Sequence, residues 1–353
     1  MKYVVVDLSN LFSRCRHVVK GETDPHTKAA IAISIVFRSL RKIYRDFGID
    51  HIVFAIDHGS WRYGAYPMYK AKRRVDRLEQ STVDQEEDQI FYDSLNQLIE
   101  YFDKKTKCTV LREKNIEGDD FVARFIQTHP EDDHVIVSAD SDFIQLLAPN
   151  VKIYDGVNER VISTEGVFDN HGKRLEFSIE SGSGKIKVAK SNPDFVPEAE
   201  WWKKALFIKL IRGDSGDGVF SAYPGISFKG TSKRIGIEQA WEDRFEKDFH
   251  WNNFMLQEWK KVVGTNEAGD VIKENVRVID EFKINEGLID LTKQPEEIKA
   301  RMDEVIAAAT SKEMISKNIG FDFLKFCAKH DLPGLAEETD HANYLSKGYP
   351  KNV

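Results

Sequence analysis

Three short runs decide most of what this chain can become: YVVVD ending at Asp7, HIVFAID ending at Asp57 and HVIVSAD ending at Asp140. Each is a continuous apolar, β-branched stretch, the pattern of a strand covered on both faces, and each stops at an acid. Helix-length amphipathic segments lie between them, such as KAAIAISIVFRSLRKIYRDFG at residues 28–48, which its glycine ends. This alternation predicts an α/β fold, a mainly parallel sheet flanked by helices and joined by right-handed crossovers. In such sheets the carboxyl ends of the strands face the ligand crevice, so the three acids are expected along one edge.

The chain has 353 residues, more than one core usually serves, and two domains are expected. Residues 62–105 read as a polar helical arch that starts basic and turns acidic. Residues 151–192 carry short β-prone pieces (VKIYDG, RLEFSIE, KIKVAK) and predict a hairpin at SGSGK; from Pro197 the pattern is helical to the end. The boundary is expected in the polar stretch at 190–196, giving an α/β domain over 1–192 and a helical domain over 193–353. No apolar run has membrane-spanning length, and MKYVVVDLSN is too short in its apolar part for a signal peptide, so a cytoplasmic protein, monomeric and without membrane contact, is expected. The scattered cysteines Cys15, Cys108 and Cys327 fit buried thiols better than a disulfide framework or a zinc site.

The acids form five groups: Asp7; Asp57; Glu117, Asp119 and Asp120 in NIEGDDFVARFI; Asp140 and Asp142 in SADSDF; and Asp214 and Asp217 in IRGDSGDGV. Taken singly they are ordinary, since acids cap helix starts and follow strands into turns. Taken together they would crowd nine carboxylates at one end of one sheet, where mutual repulsion is costly unless cations are present. Hard divalent ions such as Mg²⁺ take oxygen ligands of this kind, and two ions about 3.5–4 Å apart serve in-line displacement at a phosphodiester. No GxxxxGK[ST], GxSxG or HExxH motif supplies a competing machine. Metal-assisted phosphoester hydrolysis is the reading that these acids support.

The net charge of −7 does not advertise a nucleic-acid binder, but the distribution of charge does. The segment WRYGAYPMYKAKRRVDR, residues 61–77, sets Arg62, Lys70, Lys72, Arg73, Arg74 and Arg77 among Trp61, Tyr63, Tyr66 and Tyr69. Cations neutralise phosphates and exposed rings stack on unpaired bases, although a solvated helix with rings packed beneath it would read the same way. Lys70 could in addition stabilise charge on a scissile phosphate. A second basic stretch, PGISFKGTSKRIGI at 224–237, offers a glycine turn, a helix start, Lys229, Lys233 and Arg234, which suits a phosphate or an ordinary helix corner.

In order and type these motifs resemble the 5′-nucleases typified by flap endonucleases, especially bacteriophage members that include the T-even phage ribonucleases H. Asp7 and Asp57 resemble the first two strand-end aspartates, IEGDD the E-x-DD run, SADSDF the S-x-D-x-D element, GDSGDGV the G-D-x-x-D-N loop and YPMYKAKR the P-x-YK-x-x-R start of the arch. The resemblance implies a PIN-like 5′-nuclease fold with a helix–hairpin–helix in the C-terminal domain. It implies two Mg²⁺ ions, with Mn²⁺ as a substitute: one among Asp7, Asp57, Glu117, Asp119, Asp120 and Asp140, the other among Asp142, Asp214 and Asp217. It also implies that Tyr69, Lys70 and Arg73 face the substrate. Two departures stand out. Gly218 replaces the loop's usual asparagine, and GISFKGTSK has Ser227 where the hairpin has its second glycine, which bears on the duplex contacts and on the K⁺ ion that the motif can hold.

The expectation is a divalent-metal-dependent 5′ nuclease, with flap-endonuclease and 5′-to-3′ exonuclease character, that leaves a 5′-phosphate. Its substrates would be flapped, nicked or overhanging DNA and RNA–DNA hybrids, and a single-strand-binding protein or sliding clamp is a partner of the kind such enzymes use. Asp140, Asp142 and Lys70 are the catalytic candidates. The rivals are an inactive nuclease-like binding module and a small-molecule phosphatase, whose usual first-strand D-x-D is missing at Asp7-Leu8-Ser9.

Overall fold

The structure, a computed structural model, describes residues 1–18, 24–226, 236–242, 254–265, 270–312 and 318–350. In chain order its elements begin β1 (Lys2–Asp7), α1 (Leu8–Val18), α2 (Pro25–Phe47), β2 (His51–Ala55), α3 (Arg62–Ala65), α4 (Ala71–Leu78), α5 (Thr82–Lys105), β3 (Thr109–Leu111), α6 (Gly118–Thr128) and β4 (Asp133–Val137). A 3-10 helix (Ser141–Leu146) follows, then β5 (Val151–Asp155), β6 (Arg160–Ser163), β7 (Gly166–Asp169), β8 (Arg174–Ile179), β9 (Ile186–Ser191) and α7 (Trp201–Arg212). The rest is α8 (Ile237–Glu242), β10 (Glu258–Thr265), β11 (Val271–Arg277), α9 (Val278–Ile289), α10 (Glu296–Ser311), α11 (Ile319–Lys329), α12 (Pro333–Ala336) and α13 (His341–Leu345).

These elements form two compact units. The first comprises Met1–Trp61, Val75–Gly172 and Pro295–Val353, the second Arg62–Arg74 and Lys173–Gln294. In the first unit the strand order is β3-β2-β1-β4-β5-β6-β7. The pairs from β3 to β5 are parallel and the last two antiparallel, so the predicted mainly parallel sheet is present. Val4, Val5 and Val6 on β1 and Ile52, Val53 and Phe54 on β2 are buried on both faces, which is why those runs lack polar alternation.

Helix α2 shows how local sequence and packing agree. Asp24 caps it by accepting from the Thr27 amide, and Gly48, at φ 60, ends it. Between the caps Ala29, Ala32, Ile33, Val36, Phe37, Leu40 and Ile43 form the buried stripe, each large side chain contributing roughly 1.5–3 kcal/mol. Phe37 meets Phe323 and Phe326 of α11 at ring-centroid distances of 5.3 and 5.8 Å, so the C-terminal segment completes the first unit's core. Cys15, Cys108 and Cys327 are free and buried.

The second unit has its own core of Phe207, Ile208, Ile211, Trp241, Phe254, Val278 and Ile279. Beside it Tyr69 packs with Leu210, Val219, Leu288 and Ile289. The expected hairpin is there, with β8 and β9 paired antiparallel around the SGSGK turn. An antiparallel ribbon, β10 with β11, interrupts a stretch that was expected to be helical throughout. Its Val262, Val263, Val271 and Ile272 are β-branched residues in runs too short and too polar for a helical stripe. The expected single boundary at 190–196 differs from the contact units because aromatic packing draws residues 62–74 into the second and 295–353 into the first. The expected helix–hairpin–helix residues Lys229, Lys233 and Arg234 lie outside the described residues.

Candidate active site

Strands β2, β1 and β4 are neighbours in parallel register, with Asp7 opposite Ala55 and Val6 opposite Val137. Their carboxyl ends therefore bring Asp7, Asp57 and Asp140 to one edge. Asp7 is 3% exposed; one carboxylate oxygen accepts from the Asn10 amide at 3.0 Å and the other from Ser138 Oγ at 3.2 Å. Asp57, exposed, accepts from the Gly118 amide at 2.6 Å, the first N–H of α6, where the helix dipole favours an anion. A Cβ at Gly118 would stand 3.2 Å from that carboxylate. Buried Glu117 accepts from Ser60 Oγ at 2.7 Å, and buried Asp120 from Trp61 Nε1 at 3.0 Å. Asp140 caps the 3-10 helix by accepting from the Asp142 amide at 3.0 Å, while its own amide donates to Ser138 Oγ at 3.1 Å.

Electrostatics show which of these acids share a site. Burial, then Asp57, push the Asp7 carboxyl up to about 8, with Asp140 adding to the rise and bonds from Asn10 and Ser138 opposing it. Asp119 keeps some solvent exposure, yet enclosure by protein first, and then Asp7, Asp57, Asp140 and Glu117, hold its pKa well above the carboxylate range. Five acids thus act on one another. Among the described residues no three carboxylate, imidazole or thiol groups stand ready to grip one ion directly. Mg²⁺ normally keeps several waters and takes only one or two carboxylates, so an all-oxygen, mutually repelling set fits such an ion bound largely through water.

The second unit holds the other acidic pair. Asp214 and Val219 close the loop after α7 through reciprocal backbone bonds of 2.9 and 2.8 Å. Burial opposes the charge on Asp214, but Lys209 Nζ at 2.9 Å and the amides of Gly216 and Asp217 outweigh it and keep the pKa below the usual value. Asp217 is approached by Arg73 at 2.7 Å and by Lys70 Nζ at 3.8 Å. Lys70 sits in the left-handed region, φ 49, with its amide bonded to the Asp217 carbonyl at 2.7 Å, a strained backbone of the kind that functional positions hold. The glycine at 218 now has a reason: φ is +72, and a Cβ would stand 2.4 Å from the Met68 carbonyl. Gly218→Ala is expected to destabilise the second unit by about 1–3 kcal/mol, read as a lowered melting temperature.

Helix α4 buries none of its residues, and Lys72, Arg73 and Arg74 are exposed on it. Arg74 also donates to the Tyr69 and Pro67 carbonyls at 3.1 and 2.6 Å. Tyr69, expected to face substrate, is instead 5% exposed, because its ring fills the cluster around Leu210 and Leu288. Arg62, counted among the basic-segment cations, is also turned in, 1% exposed and donating to the Leu288 carbonyl at 2.8 Å. Ser60, Ser138 and Lys209 were missed. Ser138 lies two residues before a strand-end acid and could have been found, but nothing in the sequence marks Ser60 or Lys209.

An acid-lined edge on a parallel sheet of this order, with a helix N-terminus aimed at one carboxylate, defines a resolvase-like PIN domain. A family model described as "5'-3' exonuclease, N-terminal resolvase-like domain" matches residues 2–172. Residues 2–172 are thus similar to the N-terminal domain of 5′-3′ exonucleases. Among solved structures, the bacteriophage T5 D15 flap endonuclease, in a pseudo-enzyme–product complex with DNA and metal ions, superposes with TM-score 0.52 at 16% identity, covering 96% of this chain and all (100%) of that one. The T5 5′-exonuclease with bound zinc gives TM-score 0.52 at 15% identity over 98% of this chain and 100% of its own. These likenesses are of fold. Among the described residues no helix is long and apolar enough to cross a membrane.

Proposed function

We propose that the protein is a divalent-metal-dependent 5′ nuclease acting on flapped, nicked or overhanging DNA and on RNA–DNA hybrids, with both flap-endonuclease and 5′-to-3′ exonuclease activity. The observation that carries the reading is the group of five carboxylates at the carboxyl edge of β2, β1 and β4, in which burial, then Asp57 and Asp140, raise the proton affinity of Asp7, and burial, then Asp7, Asp57, Asp140 and Glu117, raise that of Asp119. These residues, with Asp120 and Asp142 beside them, would hold the Mg²⁺ ions. When bound, such ions supply Lewis acidity and neutralise charge at a scissile phosphate. The chain's own residues prepare the ground: Ser138 and Asn10 orient Asp7, Ser60 orients Glu117, and the N-terminus of α6 holds Asp57. In the second unit, Lys70 and Arg73 present cations to the substrate's phosphates, and Lys72 and Arg74 extend that surface along the exposed helix. The product is a 5′-phosphate.

The test is cleavage of a 5′-labelled flap duplex beside a matched blunt duplex, with Mg²⁺ or with chelator, by the wild type and by Asp140→Asn. Cutting near the flap junction that needs Mg²⁺ and that the substitution reduces by about 10³-fold is the expected result. Tight binding of the flap without cutting in either Mg²⁺ or Mn²⁺ would instead identify a binding module.

A further inference from the structure

The β10–β11 ribbon takes no part in the site above, and its two faces differ in kind. Cross-strand partners share a face, so register separates them. Trp259 opposite Val276 and Lys261 opposite Glu274 form the inner face. That face is anchored: Trp259 Nε1 donates to the Ala222 carbonyl at 2.8 Å and Lys261 pairs with Glu281 at 2.6 Å. The outer face carries Lys260 opposite Asn275 and Val262 opposite Lys273, with Val271 beyond them. All five are exposed, Val262 at 57% and Val271 at 53%. Of the strands' two acids, Glu274 lies on the inner face, and Glu258 lies on the outer face at its root, opposite Arg277.

We propose that this outer face is a nucleic-acid arm that lies along the groove of duplex substrate, with Lys260 and Lys273 on phosphates and Val262 and Val271 against sugar or base edges. The proposal rests on the nuclease reading above and adds a contact surface to it. Two strands set about 4.8 Å apart, with their side chains, match a major groove about 12 Å wide. Charge decides between occupants. A chain of net charge −7 has here a face on which Lys260 and Lys273 stand with Asn275, Val262 and Val271, and on which the one acid, Glu258, sits at the root opposite Arg277; the net positive charge complements a polyanion. The same lysines could do no more than guard an open sheet edge against pairing with another chain, and that reading makes the opposite prediction.

The experiment measures binding of a flap duplex and of the matching single strand, in chelator, across a salt series, by wild type, Lys260→Ala/Lys273→Ala and Val262→Ser/Val271→Ser; all four side chains are exposed, so the fold is retained. The lysine variant is expected to lose about tenfold to a hundredfold in duplex affinity and about two units of the log–log salt slope, one per phosphate contact. The serine variant loses affinity at unchanged slope, and single-strand binding stays the same for all three. Duplex affinity and slope equal to wild type in the lysine variant would overturn the arm while leaving the nuclease reading intact. A wild type that neither binds the duplex in chelator nor cuts it in Mg²⁺ would overturn the nuclease reading itself.

Discussion

Asp7→Asn is expected to lower divalent-dependent cleavage by about 10³-fold or more and, at the same time, to raise the melting temperature of the metal-free protein. The two effects have one cause. Asp7 is 3% exposed, and burial together with Asp57 and Asp140 pushes its carboxyl up to about 8, so folding works against its charge at neutral pH and above. Asparagine has the same shape. Its carbonyl can accept from the Asn10 amide, and its amide can donate to Ser138 Oγ. Removing the charge relieves repulsion worth roughly 1–3 kcal/mol and deletes a metal-seeking oxygen. Thermal melts of both proteins, with chelator and with Mg²⁺, check the claim: the metal raises the wild type more than the variant. A variant less stable than wild type in chelator would mean that Asp7 serves the fold as a hydrogen-bond acceptor, and the acid cluster would lose its claim to be a strained, cation-seeking site.

The second large effect is acid destabilisation through His51. This ring is fully buried on β2, with Nδ1 2.9 Å from the Lys347 carbonyl and Nε2 2.8 Å from Thr109 Oγ1, which suits a neutral ring donating through Nδ1. Burial lowers its pKa from 6.5 to about 4 against the weaker pull of the Lys347 and Gly348 carbonyls. Below 6.5 the unfolded chain therefore takes up a proton that the folded chain refuses. The stability due to the neutral ring is fully present above about pH 6.5 and is lost as pH falls through 4, roughly 3 kcal/mol in all. His134 and His341, both buried with lowered pKa, act in the same direction. Asp7 acts in the opposite direction, because its raised pKa makes acidification from about 8 favourable to the fold. Denaturant unfolding between pH 7.5 and 4 in the Asp7→Asn background separates the two, and His51→Gln should flatten the fall. An unchanged slope in that variant would show that another group titrates.

Much of the first unit was legible because its information is local. An apolar run without alternation is a strand buried on both faces wherever it occurs, and a strand-end acid in a parallel sheet has only one edge to occupy. The hairpin at SGSGK was read from short β-prone pieces on either side of a glycine turn. The ribbon at Glu258–Arg277 was missed because β-branched residues spaced among lysines and glutamates carry no strong period, and pairing between strands, not local pattern, makes them strands. The basic segment was legible only as composition. Its sequence interleaves cations and rings, and nothing in that spacing says that Arg62 and Tyr69 turn inward while Lys72, Arg73 and Arg74 stay in solvent.

The sequence by itself determined the kinds of group available and their order: oxygen donors at the ends of three strands, cations after the second, and a glycine-rich acidic loop after a helix. The tertiary structure alone decided who meets whom. Asp7 and Asp57 repel because β1 pairs with β2 in one register. Asp214 keeps its charge because Lys209 reaches back to it, and Gly218 is glycine because the Met68 carbonyl takes the space a side chain would need. Burial and proximity belong to contacts between distant parts of the chain, and these set both the proton affinities and the free space that chemistry at such a site depends on.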